Sequence, residues 1–199
     1  MNLAKARTSE GDCPFPWIAN SVAVNPTPVT DEKGLLTMDL EVARLRFKAL
    51  RDEGGKVSPQ ELEAIWAALE TVRPEEILGK WKGSEFDNGH PMCGQLAAFG
   101  WYGKYFNSVL DAKPLILRGT DGELYSNLEI GKGEASLWMI EFRGESTATM
   151  VYDGQPIFDH FKRVDENTLM GIMNGKSLPG GVTFPDGEPL FTFVLERVE

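Results

Sequence analysis

The chain has 199 residues, 42% of them hydrophobic and 25% charged, enough to bury a core without disulfide or metal staples. Thirty acidic against 20 basic residues leave a net charge of −10 with no compact Lys/Arg run to offset it, so nucleic acid is not an expected partner. Two cysteines, Cys13 and Cys93, make no disulfide framework and fit a reducing compartment. The N-terminus lacks the apolar run of a signal peptide, and no stretch approaches the about twenty apolar residues of a membrane span. A soluble, cytoplasmic protein without membrane insertion is the expectation.

Residues 1–35 carry four prolines (Pro14, Pro16, Pro26, Pro28) and no hydrophobic period, which predicts an extended arm that Phe15 and Trp17 can pin to the body. Two helices are predicted over residues 36–77 as a hairpin packed on something larger. The first runs from a Thr37 cap to about Asp52, with Leu40, Ala43, Phe47 and Leu50 on one stripe and Gly54-Gly55 at its end. The second opens on Ser58-Pro59-Gln60-Glu61, a capping box with proline at the first helical position. Leu62, Ile65, Trp66 and Leu69 then share a face.

From Trp81 onward the period changes to two. The stretches around Trp138–Phe142, STATMVY, PIFDHFKRV and LFTFVLERV alternate, with Gly144-Glu145, Asp153-Gly154 and Asp165-Glu166-Asn167 as turns between them. Eight or nine short strands without intervening helices predict an antiparallel meander, enough to close a barrel round one small ligand.

Gly79-Lys80-Trp81-Lys82-Gly83 fits the pattern Gly-X-Trp-X-Gly, followed by Gly89-His90-Pro91 and Gly100-Trp101-Tyr102-Gly103-Lys104. Further on come Ser146-Thr147-Ala148-Thr149-Met150-Val151-Tyr152-Asp153, Pro156-Ile157-Phe158-Asp159-His160-Phe161 and Arg163-Val164-Asp165. In this order the motifs resemble the GXWXG proteins and the companion domain of unknown function that follows them, over about residues 60–199. The resemblance implies a mainly β, antiparallel, calycin-like (lipocalin-like) barrel over 78–199, with the GXWXG half at about 78–128 and the companion half at about 136–199. It also implies a structural Trp81 whose indole crosses the closed end, with Gly79 and Gly83 letting neighbouring backbone come close.

Several residues are candidates for chemistry. His90, between the Asp87-Asn88-Gly89 turn and Pro91, either points into a barrel mouth or bonds to its own loop. In the strand 157–164, Phe158, His160, Lys162 and Val164 share one face, and Ile157, Asp159, Phe161 and Arg163 the other. Each face carries two apolar residues, so either His160 or an Asp159/Arg163 pair lines the interior. Trp101, Tyr102, Lys104 and Tyr105 form either a core edge with Lys104 reaching outward or a wall offering a phenol and an ammonium to a ligand.

Other signals are set aside. Residues 171–177 are one residue short of a phosphate loop and lead into Leu178-Pro179-Gly180-Gly181, a run that cannot open the required helix. No metal-ligand spacing occurs, and neither cysteine sits in a nucleophile motif.

The leading expectation is the binding of a small apolar or amphiphilic molecule in the barrel, with Trp101, Tyr105, Asp159, Phe161 and Arg163 as contacts. The alternative is a cofactor-independent isomerase or cyclase acting on a polyketide- or terpene-like substrate, with His90, His160, Tyr102 and Lys104 as acid/base groups. Both need no cofactor and leave homo-oligomerisation open.

Overall fold

The computed structural model describes residues 29–30, 36–177, 184 and 189–198. Two short strands, β1 (Val29–Thr30) and β2 (Leu36–Thr37), pair antiparallel. The rest of the predicted arm lies outside the described residues.

Helix α1 (Leu40–Glu53) begins later than a Thr37 cap would place it: the N-cap is Asp39, whose carboxylate accepts the Val42 N–H at 2.8 Å. An anionic oxygen there also meets the positive end of the helix dipole, which a threonine hydroxyl does not match. Helix α2 (Pro59–Ala68) starts at the predicted cap, Ser58 Oγ accepting from the Glu61 N–H. Trp66 and Ile65 are buried on its inner face.

The strands follow in chain order: β3 (Glu70–Thr71), β4 (Gly79–Glu85), β5 (Trp101–Ser108), β6 (Asp111–Arg118), β7 (Leu124–Ser126), β8 (Ala135–Phe142), β9 (Glu145–Tyr152), β10 (Ile157–Asp165), β11 (Thr168–Gly175) and β12 (Phe191–Val198). A 3₁₀ turn, Pro74–Ile77, precedes β4, and two one-turn helices, α3 (Gln95–Ala98) and α4 (Leu128–Gly131), interrupt the run. Together the strands form one antiparallel sheet of 10 strands, in which β4, β5, β6, β8, β9, β10, β11 and β12 pair in sequence and β12 returns to β4. The result is a closed ring with β7 paired outside it on β6.

The ring is uneven. β6 and β8 share one ladder pair, Ala112 with Ala135, extended by the Leu137 N–H to the Val109 carbonyl. β9 and β10 pair over three positions and then part, and the strand β3 with Val72 fills the gap.

Two buried layers result. Inside the ring lie Trp81, Phe106, Leu137, Met150, Phe161, Phe193 and their neighbours. Outside it, Val164, Met170, Ile172 and Val194 project to the other face of β10, β11 and β12 and pack under Phe47, Ile65 and Trp66 of the two helices. Strands covered on both faces have no polar side, so alternation alone leaves their orientation undecided. Among the described residues no helix is long and apolar enough to cross a membrane.

Candidate functional site

Strand β4 carries the Gly-X-Trp-X-Gly run. Trp81 is buried at 1% exposure, its Nε1 donates to the Ile77 carbonyl at 2.8 Å, and the Arg197 guanidinium lies 4.3 Å above its ring. Arg197 also donates to the Leu78 carbonyl, and a Cβ at Gly79 would collide with its Nη1 at 2.7 Å. Gly83 yields its space to a side chain, not to backbone: an added Cβ would sit 2.2 Å from the Trp101 ring. The two glycines thus make room for Arg197 and Trp101, respectively.

A cavity of about 610 Å³ lies against this Trp101 wall. Trp101, Leu115, Ile157, Met173, Phe191 and Phe193 line it from β5, β6, β10, β11 and β12, and Met92, Leu96 and Phe99 from the segment bearing α3. Phe99 and Ile130 line it too yet stay 55% and 45% exposed, which puts them at the rim.

Among these apolar walls stands one buried polar cluster. Lys104 Nζ lies 2.8 Å from Asp159 Oδ2 and donates to the Pro114 carbonyl at 3.3 Å. The Tyr152 hydroxyl donates to the same Asp159 Oδ2 at 3.4 Å. The rings of Phe193, Trp101 and Tyr152 stand 5.1, 5.4 and 5.7 Å from the ammonium, close enough for cation–π attraction. Asp159 Oδ1 has no hydrogen-bond partner among the described residues. Burial pushes the Asp159 carboxyl up from its ordinary value, and the Lys104 ammonium opposes the shift. Burial, then the neighbouring Asp159 carboxylate, holds the Tyr152 phenol well above its usual range.

Lys104 reaches this position through irregular pairing. Trp101 and Lys104 are three residues apart, a spacing that a regular strand sends to opposite faces. Between β5 and β6 the register slips at Gly103 and again opposite Pro114, and both side chains come to line the cavity. Gly103 is held to glycine by its surroundings, since a Cβ would stand 1.9 Å from the Trp81 carbonyl oxygen. Pro114 breaks the ladder and leaves its carbonyl to accept from Trp101 Nε1 and Lys104 Nζ.

The remaining sequence candidates divide by location. Asp159 lines the cavity, but its partner is Lys104; Arg163 lies elsewhere, 3.2 Å from Glu76. Lys104 is turned inward and does not reach outward to water. Phe161 is fully buried behind the cavity wall, edge-on to Phe106 and Phe193. Tyr102 sits under Arg118 and Tyr105 under Lys80, and neither lines the cavity. His90 is buried beside it: its Nδ1 accepts the Met92 N–H, and its ring packs 5.8 Å from Phe191, so it supports two lining residues.

His160 lies on the outer face. It stacks on Phe142 at 3.9 Å and shares a 2.8 Å hydrogen bond with Thr149 Oγ1. Burial, with Arg143 adding to it, lowers its pKa from 6.5 to about 4. Two parts of the site went unread in the sequence. Tyr152 ends an alternating strand whose Ala148 and Met150 also turn inward, a usable signal; the segment Met92–Phe99 has no period at all. Among the described residues no group of three or more His, Cys, Asp or Glu is arranged to hold a metal ion.

These features define a mainly β protein built round an internal, largely apolar cavity. The chain belongs to the GXWXG family: residues 64–122 match the model described as GXWXG protein, and residues 133–197 match that of its companion, a domain of unknown function (DUF4334). A crystal structure of a protein from Thermomonospora curvata is similar, with a TM-score of 0.68 and 32% identity over 79% of this chain and 99% of that one. No curated protein matches the chain.

Proposed function

We propose that the strand ring is a calycin-like barrel and that the protein binds one small apolar or amphiphilic molecule inside it. The carrying observation is the cavity itself. Its volume of about 610 Å³ falls within the range of about 300–1,000 Å³ usual for small-molecule sites. Its walls are aromatic and aliphatic, and its convergent polar groups are gathered in the Lys104–Asp159–Tyr152 cluster. Such a site favours an apolar body with one polar end.

A second reading, a cofactor-independent isomerase or cyclase, draws on one observation: Asp159 lines the cavity and its carboxyl is raised by burial, as suits an acid/base group. Of His90, His160, Tyr102 and Lys104, however, Lys104 alone is among the lining residues, which favours binding over proton transfer.

Native mass spectrometry of freshly purified protein tests the binding reading. One small molecule per chain, absent from a Leu115→Trp variant that fills the cavity, is the expected result. Release of the retained molecule in chemically altered form after incubation with the parent, and unaltered after incubation with Asp159→Asn, would favour the enzyme.

A further inference from the structure

The polar cluster in the cavity is unequally satisfied, and the inequality says what an occupant must bring. Lys104 has three N–H donors. Asp159 Oδ2 and the Pro114 carbonyl take up two of them, and the rings of Trp101, Tyr152 and Phe193 surround the ammonium. The Tyr152 hydroxyl is engaged on Asp159 Oδ2. The cluster thus has acceptors for two of the three Lys104 N–H groups and for the Tyr152 hydroxyl, and leaves the third N–H to the aromatic rings. Its free valence is an acceptor, Asp159 Oδ1, on a side chain 1% exposed that lines the cavity and finds no partner among the described residues.

Resting on the binding reading above, we infer that the cavity selects an apolar molecule ending in a hydroxyl group, an aliphatic or aromatic alcohol, whose O–H donates to Asp159 Oδ1. A buried carboxylate oxygen without a donor is costly, and a hydroxyl removes that cost. A carboxylate-ended molecule would set a second anion against Oδ1, with the Lys104 ammonium already neutralised. A ketone, ester or ether offers one more acceptor where a donor is lacking. An ammonium would add a second cation beside Lys104 in a cluster whose charges already balance. The neutral donor is the chemistry that fits.

The test separates this inference from the reading beneath it. Diphenylhexatriene, a hydrocarbon without polar atoms, reports on the cavity whatever Asp159 does. Decan-1-ol, 1-methoxydecane and decanoate then compete with it for the full-length protein. The alcohol is expected to displace the probe at a concentration about tenfold to a hundredfold lower than its methyl ether, the scale of a hydrogen bond to a charged group. In Lys104→Met/Asp159→Leu, which removes both charges together, the probe should still bind while the alcohol loses its advantage. If that variant fails to fold, the ratio measured on the parent decides alone. Equal displacement by alcohol and ether overturns the inference and leaves the binding reading standing. Stronger displacement by decanoate overturns it as well, by assigning the polar end to Lys104. Failure of the parent to bind diphenylhexatriene overturns both.

Discussion

Strand β10 carries two buried polar clusters on opposite faces. Inward, Asp159 meets Lys104 and Tyr152 at the cavity. Outward, His160 is sandwiched with Phe142 and bonded to Thr149, while Lys162 lies under Trp66 and pairs with Glu145. The two clusters are alike in burial and in having titratable members. They differ in what surrounds them: Lys162 packs on Trp66 of α2 and His160 on Phe142, which itself meets Trp66, whereas the inner carboxyl borders open volume. Burial of a histidine or a lysine is therefore poor evidence of a site by itself. An unmet valence beside a cavity is better evidence.

The sharpest way to break this comparison is to remove one charge from each side. Lys104→Met should cost about 3–5 kcal/mol, because Asp159 is left as an uncompensated charge in the interior. Lys162→Met should change stability by about 1 kcal/mol or less, because its partner Glu145 is 50% exposed and remains solvated. Urea unfolding of both variants checks the asymmetry; equal losses would contradict it. Trp81→Ala, which empties the core on the inner side and frees Arg197, should cost about 3–5 kcal/mol. A thermal midpoint equal to the parent's would refute its core position.

The pH dependence sharpens the outer side. His160 is depressed to about 4 from 6.5, so the folded chain binds this proton less readily than the unfolded chain. Its contribution is fully present above pH 6.5 and is lost as pH falls toward 4, at no more than about 1.4 kcal/mol per pH unit for a single proton. Over that window His160→Gln should flatten the decline in urea midpoint relative to the parent. An identical decline would assign it to other groups. The smallest effects belong to residues outside the cavity. Tyr102→Phe and His160→Gln should leave the affinity for an apolar probe within about twofold, below the worth of one neutral hydrogen bond. A larger loss would draw these residues back toward the site.

The course of the chain was largely legible. The Ser58 capping box, the two-residue period after Trp81 and the turns between strands are local signals, and local signals read directly. The turn between β8 and β9 falls at Arg143-Gly144, with φ of 56° and 83°, one residue before the predicted Gly144-Glu145, and Glu145 opens β9. The site was only partly legible. Asp159 and Lys104 both stand out in the sequence, but the near neighbour Arg163 is the partner that sequence suggests for Asp159, and the pairing actually made spans β5 to β10. The slips at Gly103 and Pro114 break the period that would have assigned Lys104 to a face. His160 was ambiguous because both faces of β10 are covered, one by the ring interior and one by the hairpin.

Titration of the protein with diphenylhexatriene, followed by fluorescence, tests the central claim most directly. Saturable binding at one probe per chain, lost in a folded Leu115→Trp variant, is the predicted result. Absence of binding to the parent, or equal binding to the cavity-filled variant, would contradict a ligand site inside the strand ring.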